Sequence, residues 1–109
     1  MIARSQLAEW ADRIVREFYP ETIILFGSHA YGNADEDSDI DLLVVMPHTD
    51  PAVQTAAEIR MALPSEQAVD VIVRTPEQIR ERLEMNDFFM QEIVSKGRVL
   101  YAAGDKRVG

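Results

Sequence analysis

The chain has 109 residues, of which 47% are hydrophobic, enough for one core and a single domain spanning 1–109. Its 19 acidic and 11 basic residues leave a net charge of −8, a surface that repels a phosphate backbone and argues against a nucleic-acid partner. Cysteine is absent, which removes disulfides and thiolate zinc sites; with no signal-like start and no apolar run of membrane-spanning length, the expectation is a cytoplasmic protein without a membrane partner.

Leu7, Trp10, Ala11, Ile14, Val15 and Phe18 recur at helical spacing, which predicts an amphipathic helix from about Ser5, its expected N-cap, to Phe18, stopped by Pro20. Thr22 to Phe26 is β-branched and apolar, a buried strand leading into Gly27 and Ser28. Ser28 is expected in a turn that opens a short helix through Tyr31, its first amides facing an anion. Asp39 to Met46 reads as a second strand, covered on both faces because Leu42 to Val45 are all apolar. Asp50 is the expected N-cap of a helix that begins at Pro51 and ends by Pro64.

A third strand is expected from Ala68 to Arg74. Thr75, Pro76 and Gln78 then make a capping box with proline at the first helical position, and Ile79 and Leu83 form the buried stripe. A last helix runs from about Asp87 to Lys96, closes at Gly97, and precedes a short edge strand at Val99 to Tyr101. That helix carries Phe88, Phe89, Met90, Ile93 and Val94 around a wide arc; core packing is the favoured reading, and a surface that buries one side against another protein is the alternative. The predicted fold class is α+β, a mixed core sheet of three or more strands with helices packed on one face and the candidate acids at strand positions.

The chemistry concentrates in residues 27–41, GSHAYGNADEDSDID. Asp39 and Asp41 at the head of a strand share one face, since side chains alternate with a period of two. Two carboxylates on one face repel unless a cation lies between them, and Mg²⁺ is held by one or two carboxylates together with substrate phosphates. Gly27 and Ser28 supply a tight turn and a hydroxyl suited to phosphate oxygens. Asp35, Asp37 and Asp39 alternate like the opening of an EF-hand, but Ile40 stands where that loop needs Gly and Met46 where it needs Glu. The acids 35–37 are therefore read as a solvated loop. His29 and His48 lack a third ligand at zinc spacing; His29, next to Ser28, could reach a phosphate.

The segment LFGSHAYGNADEDSDIDLLVVM resembles the nucleotidyltransferase superfamily that includes DNA polymerase β, and most closely its minimal nucleotidyltransferase branch. The likeness runs from the first helix to GRVLYA and implies a small nucleotidyltransferase fold. It gives Asp70, in AVDVIVRT, as a third acid beside Asp39 and Asp41; strand alternation alone leaves Asp70 as readily facing solvent. One departure is that His29 and Tyr31 stand where many relatives carry arginine.

What the resemblance implies is metal-dependent nucleotidyl transfer. Gly27 and Ser28 would bind the nucleotide, with ATP as substrate. Asp39, Asp41 and Asp70 would hold two Mg²⁺ ions, Mn²⁺ being the alternative, and Asp70 would help deprotonate the acceptor hydroxyl. It further implies an antitoxin that adenylylates a tyrosine of a HEPN-domain toxin. Two other readings stay open: an antitoxin that acts by binding alone, and transfer to a small molecule such as an aminoglycoside. Homo- and hetero-oligomers are both compatible with the sequence.

Overall fold

The computed structural model describes residues 3–35, 37–47, 51–64 and 66–104. Its elements are α1 (Arg4–Phe18), β1 (Thr22–Phe26), α2 (Ser28–Tyr31), β2 (Ile40–Val45), α3 (Ala52–Met61), β3 (Val69–Arg74), α4 (Pro76–Glu84), α5 (Phe88–Lys96) and β4 (Arg98–Ala102). The four strands form one mixed sheet in the order β3-β2-β1-β4. β1 runs antiparallel to β2 and β4, whereas β2 and β3 are parallel, so the chain between them must cross back over the sheet, as α3 does. The α+β expectation stands, as does the edge position of the last strand.

Alternation along β1 and β2 sends apolar side chains to both sides of the sheet. Ile23, Leu25, Ile40, Leu42 and Val44 pack with Leu7, Trp10 and Ile14 of α1 and with Ile59 of α3. Ile24, Phe26, Leu43 and Val45 pack with Met90 and Ile93 of α5, while Ile79 and Leu83 of α4 sit at the margin. Helices thus cover both faces, not one as predicted. Two central strands that are apolar on both faces, apart from Thr22 and Asp41, need a lid on each side, because each Ile or Leu taken from water contributes about 1.5–3 kcal/mol.

Local signals account for most boundaries. Thr75 accepts from the Gln78 amide at 3.1 Å and Gln78 Oε1 accepts from the Thr75 amide at 2.9 Å, the reciprocal box expected at the start of α4. Asp87 caps α5 by accepting from Met90 N at 3.2 Å. Two caps differ. The N-cap of α1 is Ala3, two residues before Ser5; its amide donates to Gln6 Oε1 at 3.0 Å, so the glutamine supplies the side-chain cap bond there. The N-cap of α3 is Pro51, and Asp50 lies outside the described residues. Gly97 closes α5 with φ −67°; glycine is required there because a Cβ would run into the Ile93 carbonyl and Ile24 Cγ2.

Arginines tie loops to this frame. Arg13 Nη1 donates to Ala62 O at 2.8 Å, joining α1 to the end of α3. Arg60 donates to Pro64 O at 3.2 Å and Gln67 O at 2.9 Å, which sets the path into β3. Ile40 N then donates to Ala68 O at 2.9 Å and starts the β2–β3 ladder. That start point decides which residues of the two strands face each other, and hence the geometry of the acids.

Candidate active site

The parallel register pairs Asp41 with Asp70, and the antiparallel register pairs Asp41 with Phe26, the residue before Gly27. Asp41 and Asp70 share, by alternation, the α5 side of the sheet with Leu43, Val45 and Ile72. Asp39 lies just before β2, two residues upstream on the same alternation. The three acids therefore gather at one end of the sheet, beyond the apolar contacts of α5. Asp39 and Asp70 are exposed and Asp41 is half-buried.

Asp41 is the most perturbed member. Its carboxyl is pushed above the ordinary carboxylate range, first by burial and then by the negative charges of Asp70 and Asp39, with His29 pulling the other way. Like charges held at adjacent positions have this effect because each disfavours ionisation of the others. Among the described residues no three His, Asp or Glu side chains converge tightly enough to ligate one ion by themselves. The donors are all hard carboxylate oxygens, the set that suits a divalent ion whose shell is completed by phosphate and water.

Gly27 sits at φ 76°, ψ −159°, a backbone region essentially restricted to glycine. A Cβ on Gly27 would collide with Asp41 Oδ2. The residue therefore serves both the turn and the close approach of backbone to carboxylate. Ser28 follows as the first residue of α2, so the sequence-predicted turn and hydroxyl lie at the end of β1 beside Asp41, with Asp70 one strand further on.

The connection from α2 to β2 is held by polar contacts. His29 Nε2–H donates to Ser38 O at 3.1 Å, a direction set by the carbonyl being acceptor only. Asp35 Oδ1 accepts from Asp37 N at 2.9 Å and from Ser38 Oγ at 3.1 Å, and Ser38 Oγ accepts from Asp35 N at 2.9 Å. The Asp35 carboxylate is thus engaged in the turn, consistent with a loop role. Glu36 and His48 lie outside the described residues.

Three features escaped the sequence reading. His29 and Ser38 are positioning groups for the segment that carries Asp39, visible only through their contact. Phe89 of α5 meets Phe26 edge to face at 5.7 Å, buttressing the strand end under Gly27. Arg4 and Arg98, from opposite ends of the sequence, line a cavity of about 190 Å³ with Ser28, His29, Gly32 and Ala34. No periodicity or spacing signals that meeting.

Comparison with known proteins places this arrangement. No curated protein matches the sequence. Among solved structures, a candidate nucleotidyltransferase from Sulfolobus solfataricus superposes with a TM-score of 0.64 at 18% identity, covering 92% of this chain and 80% of that one. A toxin–antitoxin structure with AMP-PNP aligns with a TM-score of 0.60 at 23% identity, covering 93% and 78%. A mutant of the toxin–antitoxin MntA-HpeT gives 0.56 at 20% identity, again covering 93% and 78%. At these identities the likeness establishes the fold. The nucleotidyltransferase domain family itself matches residues 8–101, which takes in the Gly27–Ser28 turn, all three acids and the whole sheet up to Tyr101, and on that match the chain belongs to this family and is a nucleotidyltransferase.

Proposed function

We propose that the chain transfers AMP from ATP to a tyrosine hydroxyl of a HEPN-domain toxin and so acts as its antitoxin in the cytoplasm. The observation that carries the chemistry is the facing pair Asp41 and Asp70 on parallel strands, with Asp39 two residues upstream and the Gly27–Ser28 turn against Asp41. Two solved structures of similar fold are toxin–antitoxin systems, one of them with the ATP analogue AMP-PNP, which supports both the nucleotide and the kind of partner.

Asp39, Asp41 and Asp70 would hold two Mg²⁺ ions, or Mn²⁺. The raised pKa of Asp41 fits this assignment: burial is its first cause and the negative charges of Asp70 and Asp39 follow, and a cation would offset both. When bound, such ions neutralise the carboxylates and stabilise the entering and leaving oxygens of an in-line displacement. The chain's own groups do the rest. The Gly27 backbone and the Ser28 hydroxyl bind phosphate oxygens and orient the triphosphate. Asp70, exposed at the rim, accepts the proton of the acceptor hydroxyl as its oxygen bonds to the α-phosphorus. The bond from that phosphorus to the bridging oxygen breaks, and pyrophosphate departs with the electron pair.

The test is transfer of α-labelled ATP to the co-expressed partner by the wild type and by Asp39→Ala/Asp41→Ala. Label on one partner tyrosine, reduced about a thousandfold or more in the variant, is the expected result. Equal labelling by both would overturn the proposal.

A second reading has one observation in its favour. Phe88 is 80% exposed and Val94 49%, an apolar side of α5 turned away from the core. Neutralisation by binding alone would use such a surface, and it predicts toxin protection by the double-alanine variant without any label.

A further inference from the structure

The sheet ends in two edge strands, and they differ. β4 has an irregular register against β1 between Ile23 and Ile24, and a bulge of that kind blunts an edge against further pairing. β3 runs from Val69 to Arg74 in unbroken parallel register with β2, and no proline interrupts it. Asp70 lies near its start, so this edge borders the candidate active site, whereas β4 lies on the far side of β1.

The backbone of β3 divides by alternation. Ala68 O accepts from Ile40 N at 2.9 Å and Arg74 O accepts from Met46 N at 3.0 Å, so residues 68, 70, 72 and 74 turn their polar groups toward β2. Val69, Val71 and Val73 turn theirs outward, and among the described residues their amides donate to no other backbone carbonyl. One outward acceptor is in use: Arg74 Nη1 donates to Val73 O at 2.8 Å, and that carbonyl keeps a second lone pair. Another extended backbone satisfies such a row.

The side chains define which backbone fits. Asp70, Ile72 and Arg74 alternate onto the side of the acids, and Val71 and Val73 onto the α3 side. On the α3 side an apolar groove of about 210 Å³ lies between those two valines and Ala52, Val53 and Ala56, and Val53 is 83% exposed. On the acid side the edge is negative at Asp70 and positive at Arg74, roughly 13 Å further along the strand. Arg74 forms no ion pair among the described residues. An antiparallel strand, the more stable sense, complements this charge with Glu opposite Arg74, and its residue opposite Asp70 falls in a non-hydrogen-bonded pair with Cα atoms about 4.5 Å apart. We infer that β3 takes an extended segment of the acceptor protein as a fifth strand, reading Glu-x-x-x-Tyr with apolar residues at the first and third x, so that the acceptor tyrosine stands beside Asp70. Its hydroxyl oxygen then bonds to the α-phosphorus while its proton passes to Asp70 and pyrophosphate leaves. The inference rests on the nucleotidyl-transfer reading for its acceptor, but the pairing is measured without nucleotide.

The experiment is an amide NMR titration of the full chain, without nucleotide or metal, with the end-capped peptide Thr-Glu-Val-Thr-Val-Tyr-Thr. Saturable binding is expected, with the amides of Val69, Val71 and Val73 shifted and protected from exchange. N-methylation of both peptide valines, which face Val71 and Val73, should weaken binding about tenfold or more. N-methylation of the central threonine, whose amide points away from β3, should change it little. Val71→Pro, which deletes an outward donor at a position an edge strand tolerates, should weaken binding several-fold; the methylated peptides carry the same test on the unaltered protein should this variant unfold. No binding by the wild type, equal weakening by the two methylation patterns, or the same amides shifting with protein concentration alone, as a second copy on the edge would cause, would each overturn the inference. Labelled ATP and Mg²⁺ are then added. Binding without label on the peptide supports the edge site and counts against the transfer reading, whereas label indifferent to valine methylation overturns the edge site and leaves that reading intact.

Discussion

The two faces of the sheet are built to different standards. On one, α1 and α3 close over the strands with Trp10, Ile14 and Ile59 fully packed and Arg13 bolting the helices together. On the other, α5 meets the sheet through Met90 and Ile93, α4 is only partly buried, and Phe88 and Met85 face outward. The acids share this second face and sit beyond its apolar cover. The difference teaches that stability and chemistry are divided: the closed face holds the strands in register so that the open one can crowd three carboxylates against a turn.

Substitutions on either face should break or sharpen that division. The largest effect is expected at Asp41. Asp41→Asn should reduce nucleotidyl transfer about a thousandfold, roughly 4 kcal/mol of transition-state stabilisation, and yet leave the melting temperature unchanged or raised, because it removes one of three mutually repelling charges. A fall in stability matching the loss of activity would erase the distinction between the faces.

On the closed face, Ile59→Ala should cost about 2–5 kcal/mol in denaturant unfolding through the cavity it leaves, with transfer per folded molecule nearly unchanged. Gly27→Ala joins the two regions. Its Cβ meets the Asp41 carboxylate in a conformation that alanine resists, so a loss of about 1–3 kcal/mol in stability together with impaired transfer is expected. If Gly27→Ala were silent in both assays, the close approach of turn and acid would have no consequence.

The pH response of the open face follows from the raised pKa of Asp41. A carboxyl whose folded pKa exceeds its unfolded value destabilises the fold when ionised, and the penalty is relieved as pH falls through the folded pKa. The stability advantage of Asp41→Asn over wild type should therefore be present at about pH 7 and shrink on approaching about pH 4. An advantage that grew on acidification would contradict the crowding of the three acids. The smallest effect is on the outward side of α5: Phe88→Ser should alter stability by within about 0.5 kcal/mol, and weakened capture of the proposed toxin partner by this variant would support binding through that side.

Most of the fold was legible because its signals are local. Thr75, Pro76 and Gln78 announce α4 by a hydrogen-bond pattern that fits within four residues, and the spacing of Leu7, Trp10, Ala11 and Ile14 requires a helix with one buried side. Cap positions were less secure, since Gln6 could replace Ser5 in satisfying the first amides of α1. The placement of helices on both faces was implicit in the unbroken apolar run of β2, whose consequence depends on which helices can reach each side.

The sequence by itself determined the reactive ingredients: the Gly27–Ser28 turn, the alternating Asp39 and Asp41, and an acidic chain with apolar strands to carry them. These follow from backbone freedom and side-chain alternation, which neighbouring residues settle among themselves. Only the tertiary structure decided that Asp70 stands opposite Asp41, that Phe89 braces Phe26, and that Arg4 and Arg98 meet beside Ser28. Strand register and the meeting of distant arginines depend on how both apolar faces are buried at once, and no short stretch of chain holds that information.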